Sequence, residues 1–175
     1  MPLIEDAHGE TISLDETHLG KFQVLVRAGT ATFISDQAAS VGGLGSGPNP
    51  YDLLSAAIGS CTLMTVRMYA DRNHWPLERV RVRVTHRRES IHDKDNFTKE
   101  VELVGALSPT QRKRLLEISR LCPVSTTMAN GSQIDTVEIT KDPPAIGDIA
   151  HSEHVRDMQA VVESKFDSIV NVDAD

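Results

Sequence analysis

The sequence predicts one α+β domain of antiparallel strands and helices, and three stretches carry that expectation. KFQVLVRAGTATFISD holds two β-rich runs around Ala28 and Gly29, DLLSAAIGSCTLMTVRMYA is a nearly uncharged run of helical period, and PLERVRVRVTHRR alternates valine with arginine. The 175 residues suffice for a single buried core plus a tail. Aromatics make up only 4%, so Val, Leu, Ile, Met and Ala must build that core.

The first stretch has the pattern of a β-hairpin. The Gly, Ser and Pro cluster QAASVGGLGSGPNP follows; its glycines lack the strand-anchored spacing of a phosphate loop, so it is expected to connect, with enough freedom to close over a site. A helix should begin where Asn49 can cap, Pro50 fits the first position and Asp52 meets the positive helix end, and should run to about Asn73. Next comes a half-buried strand with Val80, Val82 and Val84 on one face and Arg79, Arg81 and Arg83 on the other. Glu100 and Glu102 in KEVELVG, on a neighbouring strand, would answer those arginines across the sheet, which suits a solvated face better than a nucleic-acid surface.

SPTQRKRLLEISRL is a second helix, with Ser108 as cap, Pro109 at the first position and Gln111 closing a capping box. It should stop at Cys122-Pro123, because the residue before a proline resists helical geometry. Pro123 can start another short helix with Cys122 at its N-cap, and SQIDTVEIT has the pattern of a last strand after the Asn130-Gly131 turn. Beyond Thr140 the composition shifts, and Ile149, Val155, Met158, Val161 and Val162 fit one face of an appended helix. His151 and His154 lack further ligands nearby and are expected at the surface; no metal and no cofactor are expected.

A formal charge of −7 argues against a nucleic-acid partner and against anionic membranes. The N-terminus has no secretion-signal pattern, and the apolar run around Cys61 is polar at its ends for a membrane span, so the expected compartment is the cytoplasm. There, two cysteines are too few for a disulfide scaffold or a cysteine-rich zinc site.

On a 3.6-residue period Leu54, Ala57, Ile58, Cys61, Met64, Thr65 and Met68 share a helix face, while the opposite side, with Leu53, Ala56, Leu63 and Val66, is hardly wetter. Such a helix needs cover all round: either a sheet covers one side and a second subunit the other, or the domain is unusually thick for its length. Cys61 alone fits simple packing, since free cysteine behaves as a small apolar side chain. Cys122, 61 residues on and also in a specified helical setting, makes a reactive pair the competing reading, and a permanent staple is disfavoured in a reducing compartment.

GPNPYDLLSAAIGSCTLMTVRMYADRNHWPLERVRVRV, followed by LLEISRLCPVSTTM, closely resembles the OsmC/Ohr family of thiol-dependent peroxidases, and its OsmC-like branch in particular. The resemblance runs from about Leu19 to Thr140, setting residues 1–18 apart as an N-terminal segment and residues 141–175 as a C-terminal extension. It implies an OsmC-like fold, in which antiparallel sheets wrap long central helices in an intertwined homodimer with active sites at the interface. By motif, Cys61 matches the peroxidatic cysteine and Cys122 the resolving one. The implied activity is reduction of organic hydroperoxides through a Cys61 sulfenic acid and a Cys61–Cys122 disulfide, recycled by a dithiol reductant of lipoyl or similar type.

The resemblance also implies a substrate channel lined by Leu54, Ile58, Met64 and Met68, and a cation to activate a buried thiol. In the family an arginine of the N-terminal hairpin, held by a glutamate near the helix start, supplies that cation. Here Tyr51 stands at the glutamate position and Asp52 follows it, on the helix side away from Cys61; Arg27 is the hairpin's candidate arginine. Arg67 is expected to be structural or interfacial, and Ser125 stands where many relatives of the branch have histidine. These departures favour an alternative of another class, a non-catalytic binding or redox-sensing module with the same apolar pocket.

Overall fold

The computed structural model describes residues 11–138 and 153–166. They form two compact units, one of residues 11–50 and 135–138 and the other of residues 51–134 and 154–166.

The first unit is an antiparallel sheet of β1 (Ile12–Glu16), β2 (Val24–Ala28) and β3 (Ala31–Ser35), in that order. The expected hairpin is β2 and β3, closed by Gly29 and Thr30, with Gly29 at a φ of 58° that a glycine adopts without strain. β1 adds a strand that the sequence reading did not single out. ISLDE is short and mostly exposed, and it pairs because β2 offers a second edge, with Asp15 in an ion pair to Arg27.

The glycine-rich connection is tightly organised. The buried Asp36 carboxylate accepts the N–H groups of Gln37 (2.7 Å), Leu44 (3.0 Å) and Ser46 (3.1 Å) and the Ser46 hydroxyl (2.8 Å), so the loop folds around one side chain. At Gly43 a Cβ would lie 2.0 Å from the Gln37 carbonyl oxygen, which only a glycine avoids.

The second unit is built on α1 (Pro50–Arg72), β4 (Leu77–Arg87), β5 (Asn96–Gly105), α2 (Pro109–Ser119), α3 (Pro123–Asn130) and α4 (Glu153–Phe166). β4 and β5 pair antiparallel with Arg81 opposite Glu102 and Arg83 opposite Glu100, and both pairs close, at 2.9 and 3.3 Å. Their valine faces turn inward; Val80 and Leu103 join Val66, Tyr69, Leu77, Leu115 and Ile118 in the core. α1 buries Ile58, Cys61, Thr62, Thr65, Val66, Tyr69 and Ala70, a stripe of helical period, while Leu54, Leu63 and Met64 stay exposed. Gly59 lets α1 approach the sheet: a Cβ there would sit 3.3 Å from Val84 Cγ2. By length and mean hydropathy alone α1 would pass for a membrane span, as core helices of soluble proteins also do.

α2 carries the expected capping box of Ser108 and Gln111, and α3 begins at Pro123 with Cys122 as N-cap. α4 brings Met158 and Val162 into burial, and Val162 joins the core; Ile149 and His151 lie outside the described residues. The expected strand from Ser132 does not form over residues 132–138. Among the described residues no strand pairs with it, and Ile134 and Val137 remain 86% and 76% exposed.

Candidate thiol redox site

Cys61 sits in the middle of the buried stripe of α1, and Cys122 at the N-cap of α3; both are free thiols with essentially no exposed surface. The two chain turns are brought together by local rules. The helical spacing of Ile58, Val66, Tyr69 and Ala70 marks the buried face of α1 on which Cys61 sits, and the proline after Cys122 ends one helical course and begins another. The two thiols lie close enough to influence each other's ionisation, and backbone N–H groups in the first turn of α3, those of Val124 and Ser125, favour negative charge on Cys61 and Cys122 respectively.

Around Cys122 the polar contacts are dense. Its Sγ lies 2.9 Å from Ser125 Oγ and 3.2 Å from Thr62 Oγ1. Both hydroxyls also accept from Lys99 Nζ, at 2.9 and 3.2 Å, and the same ammonium donates to the Ser119 carbonyl at 2.7 Å. The consequence is an unequal pair, with the two thiols pushed in opposite directions. The hydrogen bond with Cys122, followed by burial, pushes the Cys61 thiol above the ordinary thiol range. The reciprocal bond from Cys61, helped by Ser125 and Thr62, lowers Cys122 against its own burial. Charge therefore settles on Cys122.

A cavity of about 630 Å³ opens beside this cluster. Ile58, Phe97 and Met128 give it apolar wall, while Lys99 and Ser125 bring the polar network to its surface. Ile58 lies one helical turn before Cys61. Of the other residues expected to line a channel, Leu54 and Met64 are exposed and Met68 packs against the core.

Tyr51 stacks on His86 (centroids 4.4 Å apart) and accepts a hydrogen bond from Arg88, and Asp52 is exposed in the first turn of α1. Arg27 belongs to the other unit, ion-paired with Asp15 on β1. Arg67 donates to the carbonyls of Leu77 and Glu78, tying α1 to the start of β4. Among the described residues no cluster of three or more His, Cys, Asp or Glu side chains could hold a metal. Lys99 and Thr62 were not singled out from the sequence. Lysine in a strand that otherwise alternates valine with glutamate carries no local mark of its inward contacts, whereas Thr62, polar on a buried helix face, was a signal available but unused.

The family described as OsmC-like protein matches residues 43–137, more than half of the chain. No curated protein sequence matches it. Among solved structures, a protein of Psychrobacter arcticus 273-4 described as an osmotic stress induced and detoxification response protein is 18% identical, covers 68% of this chain and 88% of its own, and superposes with a TM-score of 0.60. An OsmC-like protein of Mycoplasma pneumoniae is 16% identical over 70% of this chain and 89% of its own, with a TM-score of 0.59. An organic hydroperoxide resistance protein OsmC of Legionella pneumophila is 18% identical over 70% and 90%, with a TM-score of 0.52. At these identities the likeness is one of fold.

Proposed function

The chain belongs to the OsmC-like family, and on that premise we propose that it is a cysteine-based peroxidase that reduces organic hydroperoxides to alcohols. The observation that carries this reading is the pair of free, buried cysteines, Cys122 set among the hydroxyls of Thr62 and Ser125, beside a part-apolar cavity. In the first step the Cys61 sulfur attacks the peroxide and passes its proton to the Cys122 sulfur. The O–O bond breaks, the alkoxide leaves and takes that proton to become the alcohol, and Cys61 is left as a sulfenic acid. The Cys122 thiolate then attacks Cys61, expels hydroxide and closes the disulfide. A dithiol reopens it by exchange.

The apolar parts of Ile58, Phe97 and Met128 suit the organic part of such a peroxide. A homodimer would cover the exposed Leu54, Leu63 and Met64 of α1 and give residues 132–138 a partner, with Ile134 and Val137 inside it. The two free thiols fit a reducing compartment such as the cytoplasm.

A second reading, a binding or redox-sensing module that turns over poorly, is favoured by Tyr51, which fills the glutamate position with an aromatic ring stacked on His86. Single-cysteine variants separate the two. Treated with one equivalent of cumene hydroperoxide, Cys122→Ser should consume the peroxide once and accumulate a sulfenic acid at Cys61, while Cys61→Ser should consume none. Equal consumption by both variants would refute the assigned roles.

A further inference from the structure

Lys99 Nζ donates to both hydroxyls that contact the Cys122 sulfur. An ammonium donates and never accepts, so Lys99 takes one lone pair of each oxygen and leaves both hydroxyl hydrogens free to point elsewhere. Cys122 as a thiol donates to Ser125 Oγ; as a thiolate it can only accept, so the hydroxyls then turn to donate to it. The acceptor within reach of both is Cys122 Sγ. We infer that Lys99 is a positioning residue that turns the Thr62 and Ser125 hydroxyls onto Cys122, making Cys122 the leaving group when a dithiol opens the Cys61–Cys122 disulfide. The inference rests on the disulfide of the proposed reaction and assigns direction to its reductive half.

A thiolate of the reductant attacks Cys61 Sγ, the S–S bond breaks, and its electron pair goes to Cys122 as a thiolate held by the two hydroxyls. A mixed disulfide now joins the reductant to Cys61. The reductant's second thiol, having given up its proton, attacks its own sulfur in that bond and expels Cys61, which takes up the proton. The dithiol is oxidised by two electrons and the cysteine pair is reduced by two. Attack at Cys61 is favoured because the thiol of lower pKa leaves faster, and here the donors converge on Cys122. The titratable groups that face this sulfur are Cys61 on α1 and, through the hydroxyls, Lys99 on β5; α2 adds only the Ser119 carbonyl, which accepts from Lys99.

Two measurements test this without any peroxide. In a Cys61→Ser background, the 240 nm absorbance of the thiolate gives the ionisation midpoint of Cys122. Lys99→Met should raise that midpoint by about one pH unit, Lys99→Arg should restore most of it, and Ser125→Ala should raise it while leaving the Lys99 bond to Ser119 in place. In the two-cysteine protein, with the disulfide formed by diamide, a dithiothreitol quench analysed by mass spectrometry should find the mixed disulfide on Cys61. Opening should be about threefold slower in Lys99→Met. An unchanged midpoint in both Lys99→Met and Ser125→Ala, or a mixed disulfide on Cys122, would overturn the inference. Absent peroxide turnover with these shifts intact would refute the peroxidase and leave the positioning role standing.

Discussion

Asp36 and the cysteine pair show how single residues set charge inside this protein. Burial alone would push the Asp36 carboxyl up, but donors from Ser46, Gln37 and Leu44 outweigh it and hold the group below its ordinary value of 3.8. A carboxyl depressed in the folded state contributes stability that is present above the unfolded value and is lost as pH falls through the lower folded one. Asp36→Asn should therefore lower the melting temperature at pH 7 by several degrees and flatten its fall below about pH 4. Melts taken from pH 7 to pH 3 check this, and a variant curve parallel to the wild type would contradict it. The cysteine pair applies the same physics: the donors concentrated on Cys122 lower it, as they lower Asp36, and Cys61 is pushed up.

Elements differ in how much of their cause is local. The capping box of α2 is entirely local: Gln111 N donates to Ser108 Oγ at 3.2 Å, and Ser108 N donates to Gln111 Oε1 at 2.8 Å. Ser108→Ala should cost about 1 kcal/mol in denaturant unfolding, with Ser108→Asp close to wild type. This is why α2, the start of α3 and the β4 and β5 pair were legible in the sequence, since caps, prolines and alternating charge act within a few residues or across one register. β1 was not, because its five residues become a strand only when β2 lends an edge. Residues 132–138 carry a strand pattern, but no strand among the described residues pairs with them, so pattern alone misled there. The cysteines were legible from their setting. Lys99 was not, because its role depends on three contacts from α1, α2 and α3, all distant in sequence.

At the scale of the whole molecule, the C-terminal helix joins the core of the second unit, with Val162 buried beside Val66 and Tyr69 and Glu163 reaching Arg72 at 3.5 Å. Val162→Ala should destabilise by about 2 kcal/mol, read by chemical denaturation, without altering thiol reactivity in the folded protein. No loss of stability would mean that α4 adds nothing to the core. The proposed dimer draws on the opposite face of α1, where Met64→Lys should shift the protein toward monomer in sedimentation. The central claim is that these buried thiols are chemistry rather than packing. Its most direct test is steady-state thiol consumption with dithiothreitol, comparing cumene hydroperoxide with hydrogen peroxide in the wild type and in Cys61→Ser. The account predicts turnover that prefers the organic peroxide and vanishes in Cys61→Ser; no turnover with either peroxide, and a Cys61 that stays reduced in their presence, would contradict it.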